Sequence, residues 1–169
     1  MDFDNTGILV GDRQKKVERA LLALDCTKEV LRQAKELGAQ LIITHHPIIF
    51  HPIKRVNEDS LVYHLLRSDI AVISAHTNLD IAQGGVNDLL AKRIGLSDCR
   101  GLQPMDAQGT FFLGRVGSLP EGMETQQFAQ YLKQRLGAPS VKFAAADRTV
   151  KTEALCGGAG ADCMEGAIR

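Results

Sequence analysis

Two stretches of this sequence carry residues able to do chemistry. The first, Leu41-Ile42-Ile43-Thr44-His45-His46-Pro47, ends an apolar run in two adjacent histidines. The second, Ile70-Ala71-Val72-Ile73-Ser74-Ala75-His76-Thr77-Asn78-Leu79-Asp80, ends an apolar run in His76, with Asp80 four residues on. Imidazole and carboxylate are donors that zinc, manganese, iron and nickel accept. Two consecutive histidines on an extended backbone point to opposite sides. Such a pair suits donation to two different metal ions, and a two-metal site activates water and polarises a carbonyl or phosphoryl oxygen. Taken singly, His-His-Pro also serves as strand-end punctuation and His76 as a hydrogen-bonding core residue. The joint pattern at two strand ends is what points to a site.

The elements that must position these groups follow from periodicity. Residues 4–12 read as a loop, a short apolar strand and then a turn, with Asp4-Asn5 and the flanking glycines as turn formers. Val17–Leu24 is an apolar run of strand length, for which Ala and Leu leave helix open. Thr27 fits an N-cap, Lys28–Leu37 carries apolar residues at helical spacing, and Gly38 fits a C-cap. Leu41–Thr44 lacks polar alternation and suits a parallel strand covered on both faces. A loop over 47–56, a helix capped by Asp59 or Ser60 and running to about Arg67 with Leu61, Leu65 and Leu66 inward, a strand over Ile70–Ser74 and a helix over Val86–Ile94 follow. This β-α-β-α-β-α alternation predicts a parallel sheet. Ligands bind beyond the carboxyl ends of such strands, where Asp25, His45, His46 and His76 all fall.

The later chain has a different texture. Residues 97–109 are turn-rich and read as a connection. Thr110–Val116 reads as a strand, Ser118-Leu119-Pro120 as a turn, Thr125–Leu136 as an amphipathic helix, and Val141–Ala145 and Val150–Leu155 as strands. A final helix begins near Asp162. A weak echo links Val17…Leu22…Ala34 with Val150…Leu155…Ala167. The expected class is α/β, with a parallel or mixed sheet flanked by helices and two related halves, the second incomplete. The expected divisions are 1–96 with the metal-binding motifs, 97–109 as connection, and 110–169 as insert-like strands and helix plus the start of the second half.

Composition narrows the function classes. The chain has 169 residues, 44% hydrophobic and 24% charged, the proportions of a globular domain. Twenty basic residues balance twenty acidic ones, so nothing argues for a nucleic-acid footprint or an anionic membrane partner. No apolar run reaches the ~20 residues that span a bilayer, and the start lacks a secretory pattern, so a cytoplasmic location without a membrane partner is expected. The four cysteines show no C-x-x-C spacing and read as free, partly buried thiols. His51 sits in a loop near the pair, and His64 reads as a surface residue on a helix. Gly157-Gly158-Ala159-Gly160 lacks a full nucleotide fingerprint and reads as a tight structural turn.

Beyond these readings, the sequence closely resembles a known family. Asp4-Asn5-Thr6-Gly7-Ile8-Leu9-Val10-Gly11-Asp12, Ala23-Leu24-Asp25, the two histidine stretches, Gly84-Gly85-Val86-Asn87, Gly114-Arg115-Val116-Gly117 and Cys156-Gly157-Gly158-Ala159-Gly160 are similar to the YbgI-like dinuclear metal-centre family. Its members often carry the name GTP cyclohydrolase 1 type 2 homologue. The resemblance implies two related α/β halves, a toroidal homohexamer, and two divalent metal ions (zinc, manganese, iron or nickel) in a cleft. It assigns His45, His46 and Asp80 as metal ligands and sets His76 beside the metals as the catalytic residue. It further implies a metal-dependent hydrolase of a nucleotide or related small molecule. Competing expectations are a non-catalytic metal-binding scaffold and an inactive fragment. The family's further His-x3-Glu ligand pair has no counterpart after His76, the helix before the Asp-Asn loop is absent, and Phe3 stands where Trp is common. On this reading the chain is truncated at both ends.

Overall fold

The computed structural model describes residues 4–168, so Phe3 and Arg169 lie outside the described residues. The chain is α/β, as the alternation predicts, and divides into two compact units, 1–79 and 80–169.

In the first unit, four short strands form one mixed sheet. They are β1 (Gly7–Val10), β2 (Ala20–Ala23), β3 (Leu41–Thr44) and β4 (Ala71–Ser74), in the order β1-β4-β3-β2. β2, β3 and β4 run parallel, and β1 closes the β4 edge antiparallel. Helix α1 (Lys28–Glu36) starts at Thr27, whose side chain accepts from Val30 N, and α2 (Leu61–Arg67) starts at Ser60 in the same way.

Register explains the core. Val10, Val72, Ile42 and Leu21 form one row across the four strands and pack with Leu31 and Ala34 of α1 and Leu65 of α2. Each large apolar side chain buried this way contributes roughly 1.5–3 kcal/mol. The next row, Ile8-Ile73-Ile43-Leu22, is half-buried to exposed, with Leu22 at 73%. The expectation that β3 is covered on both faces is therefore corrected: its burial alternates, because both helices pack against the Ile42 row. Leu66 is also outward, whereas Leu61, Val62 and Leu65 face the core.

Helix α3 (Thr77–Ile81) carries the chain from the first unit into the second. The second unit begins with the rest of that helix and α4 (Val86–Ile94). A three-stranded antiparallel sheet follows, β5-β6-β7, built from β5 (Ser97–Pro104), β6 (Phe112–Glu124) and β7 (Thr149–Leu155). α5 (Thr125–Leu136) opens on a Glu124/Gln127 capping box. Phe128 of α5, Ala91 and Ile94 of α4, and Leu119 and Leu155 of the sheet make the second core. A 3₁₀ turn (Ala161–Cys163) and α6 (Met164–Ile168) end the described chain.

Three expectations need correction here. Residues 97–104 form a strand rather than a connection, because pairing with β6 overrides their turn-rich composition. Ser118-Leu119-Pro120 is not a turn: β6 continues through it with a register shift, and Leu119 is buried. Val141–Ala145 forms no strand, and Val141 alone of the five is other than exposed.

β7 also holds an ionisable group in poor surroundings. Glu153 stands opposite Gly117, which offers no side chain to meet it. Burial pushes its carboxyl up to about 7. An acid raised in the folded state stabilises nothing when ionised. Its cost is absent below the ordinary carboxylate range, grows as pH rises through it, and is full above about 7. Glu153→Gln is expected to raise the melting temperature by about 3 °C under alkaline conditions and to leave it unchanged under acid ones. Thermal unfolding followed across pH checks this.

Candidate metal centre

The carboxyl ends of the three parallel strands position the histidines. Beyond β3 the ladder continues by two bonds, Ala75 N to Thr44 O at 2.8 Å and His46 N to Leu24 O at 3.0 Å. Two buried hydroxyls then tie the histidine backbone down. Ser74 Oγ donates to His45 O at 3.1 Å, and Thr44 Oγ1 donates to His46 O at 2.9 Å. Both hydroxyl residues are 1% exposed, so these bonds are shielded from water.

The strand itself stops at Thr44, and His45-His46 occupy a bend. The expectation of side chains pointing to opposite sides is corrected accordingly, because strand alternation ends where extended backbone ends. The two ring centroids are 5.2 Å apart. His76 lies 5.3 Å from His45 and 6.0 Å from His46, so three imidazoles converge.

Every one of the three presents Nδ1 to an oxygen that can only accept. His45 Nδ1 is 2.8 Å from Ala75 O, His46 Nδ1 is 2.7 Å from Asp25 Oδ1, and His76 Nδ1 is 2.8 Å from Asp4 Oδ1. Each Nδ1 therefore carries a proton, so a neutral ring would ligate through Nε2. A second contact on the remote nitrogen is the usual support of a metal-binding histidine. Among the described residues, no three His, Cys, Asp or Glu side chains form a ready-made metal cage.

Asp4 was readable in the sequence only as a turn former, yet its side chain is 2% exposed and central. It accepts from His76, from Thr77 N at 3.3 Å and from Thr77 Oγ1, and so anchors the start of α3. Burial raises its pKa, but the hydrogen bonds from Thr77, His76 and Asn5 outweigh burial and hold the carboxyl below its ordinary value. An acid depressed in the folded state stabilises it above the ordinary carboxylate pKa and loses that contribution as pH falls through the depressed one. Asp4→Asn is expected to cost about 2 kcal/mol near neutrality, with the gap to the parent chain closing in acid. Chemical denaturation at several pH values reads this out.

The loop after the pair brings Phe50 to 6.3 Å from His76 and packs it edge-on with His51 at 5.0 Å. His51 is exposed, and His64 is half-buried on α2 beside Tyr63.

In the second unit, Asp80 is 6% exposed on α3. Asn87, fully buried, donates Nδ2 to Asp80 O at 2.9 Å and accepts on Oδ1 from Gly157 N at 2.7 Å. One amide thus joins three of the sequence motifs, which their spacing did not reveal.

The family model described as Duf34/NIF3 (NGG1p interacting factor 3) matches residues 1–169. The chain belongs to the DUF34/NIF3 family. A Clostridium perfringens relative named GTP cyclohydrolase 1 type 2 homolog is 38% identical over 169 residues, 95% of this chain and 63% of the relative. A Staphylococcus aureus hypothetical protein of known structure matches with a TM-score of 0.88 and 28% identity, over 99% of this chain and 69% of that one. The protein ybgI, of unknown function, shares the fold with a TM-score of 0.80 at 24% identity, over 99% of this chain and 66% of that one. This DUF34/NIF3 chain therefore spans less than two thirds of the length of its Clostridium perfringens relative. Among its described residues, no helix is long and apolar enough to cross a membrane.

Proposed function

We propose that this chain supplies one wall of a dinuclear metal centre in a metal-dependent hydrolase of the GTP cyclohydrolase 1 type 2 homologue kind. The observation that carries the reading is the shared arrangement of His45, His46 and His76, each with Nδ1 held by an oxygen acceptor. The residues fit as donors to borderline divalent ions. His45 and His46 are the proposed ligands, joined by Asp80 on the family resemblance. Two divalent ions would supply Lewis acidity and an activated water. The chain's own residues would do the rest. Asp25 and Ala75 O orient the ligand rings. Asp4 holds the proton on His76 Nδ1, leaving Nε2 able to accept a proton from water or a nucleotide-like substrate. The proposed working form is a cytoplasmic toroidal homohexamer.

The test is elemental analysis of the purified chain after equilibration with zinc, manganese, iron or nickel, followed by a hydrolysis assay on GTP and related nucleotides. Stoichiometric metal and metal-dependent turnover support the reading. Metal without turnover leaves a metal-binding scaffold instead, and no metal removes the proposal. Asp25→Ala gives a finer check. Asp25 is 54% exposed, so the fold should stand, while loss of its support to His46 should weaken metal affinity by about 10-fold. Competition with a chromogenic chelator measures that change.

A further inference from the structure

The motif Cys156-Gly157-Gly158-Ala159-Gly160 is used by the fold as a turn after β7, and that turn returns the chain onto itself. Gly158 and Gly160 adopt φ of 75° and 63°, which a side chain rarely tolerates. Cys163 N donates to Gly160 O at 3.1 Å and closes the 3₁₀ turn. The result sets Cys163, 3% exposed, against the half-buried Cys156. Cys156 Sγ donates to Gly157 O at 3.2 Å, and the Cys156 and Cys163 thiols lie close enough to perturb one another. Both line a cavity of about 350 Å³, walled largely by Leu102, Leu155, Met164 and Ala167. The remaining thiols are placed differently: Cys99 is exposed, and Cys26 belongs with the core of the first unit.

We propose that Cys156 and Cys163 form a reversible redox pair, closing to an intramolecular disulfide under thiol oxidants. The reaction needs an external disulfide, such as oxidised glutathione. One cysteine thiolate attacks a glutathione sulfur, the glutathione S–S bond breaks and one glutathione leaves as thiolate. The second cysteine, as thiolate, then attacks the mixed disulfide and expels the other glutathione. Two protein thiols lose two protons and two electrons, and one glutathione disulfide becomes two thiols. The cavity gives the oxidant its approach, and the placing of both thiols on that one cavity favours closure over a lasting mixed disulfide. Burial, then the contact with Cys163, pushes the Cys156 thiol up to about 12. Thiolate is scarce at neutral pH, so slow equilibration is expected.

The experiment uses the full chain, equilibrated for hours across ratios of reduced to oxidised glutathione, acid-quenched and alkylated in denaturant. Lys151 and Arg169 bracket both cysteines, so trypsin releases them in one peptide, 152–169. The expected result is that this peptide loses two hydrogens and takes up no alkylating group, while Cys26 is still alkylated. In Cys163→Ala, Cys156 is expected to carry glutathione instead. A peptide 152–169 that stays alkylated at both cysteines at every ratio overturns the proposal. A parent chain in which Cys156 carries glutathione or links to Cys99 overturns it equally. Since the decisive measurement is on the parent chain, a variant that fails to fold does not spoil the test.

Discussion

Replacing His45 and His46 together with alanine is expected to abolish stoichiometric metal binding and leave the fold intact. Loss of a residue that merely orients a ligand costs about 10–100-fold in affinity, so loss of two ligands should exceed about 100-fold. The fold should survive because neither imidazole belongs to a hydrophobic core cluster. The bend itself is held by Ser74 Oγ and Thr44 Oγ1 on backbone carbonyls, which alanine retains. Elemental analysis paired with thermal unfolding separates the two effects. A double variant that keeps the parent's metal content would place the metal elsewhere and refute the assignment.

Gly114→Ala is expected to destabilise the second unit strongly. Gly114 lies in the central strand β6 with a φ of 74°, and an added Cβ would stand 2.7 Å from Leu155 O and 3.0 Å from a Leu102 methyl. Leu155 O belongs to the backbone of the neighbouring strand and cannot retreat without breaking the sheet. Strained dihedral and overpacking together cost about 3 kcal/mol or more. For a chain of this length that lowers the melting temperature by about 6–12 °C. Thermal unfolding measures it, and a shift below about 2 °C would mean that β6 and β7 part more readily than their pairing suggests.

Hydrophobic period carried most of the first unit. β1, β3, β4, α1, α2 and the caps Thr27 and Ser60 sit where apolar spacing and capping chemistry put them. The second unit was less legible because its sheet depends on pairing between distant segments. Ser97–Pro104 has the composition of a loop and becomes a strand only because β6 is there to receive it. The histidines were legible as a group, since chemistry and strand ends coincide in His45, His46 and His76. Their supports were less so. Asp25 was visible as another strand end, but Asp4 contacts His76 from 72 residues away, and no local pattern announces such a contact.

Of the three acceptors behind the imidazoles, two are carboxylates and one is a main-chain carbonyl, and this makes the two adjacent histidines electronically unequal. A carboxylate behind His46 draws its Nδ1 proton and enriches its Nε2, whereas the neutral amide oxygen behind His45 does so less. Asp25 can be changed by mutation, so the donor strength of His46 is adjustable. Ala75 O belongs to the main chain, and no substitution at position 75 removes it. Residue choice at position 25 therefore sets the difference between neighbours that would otherwise be chemically alike.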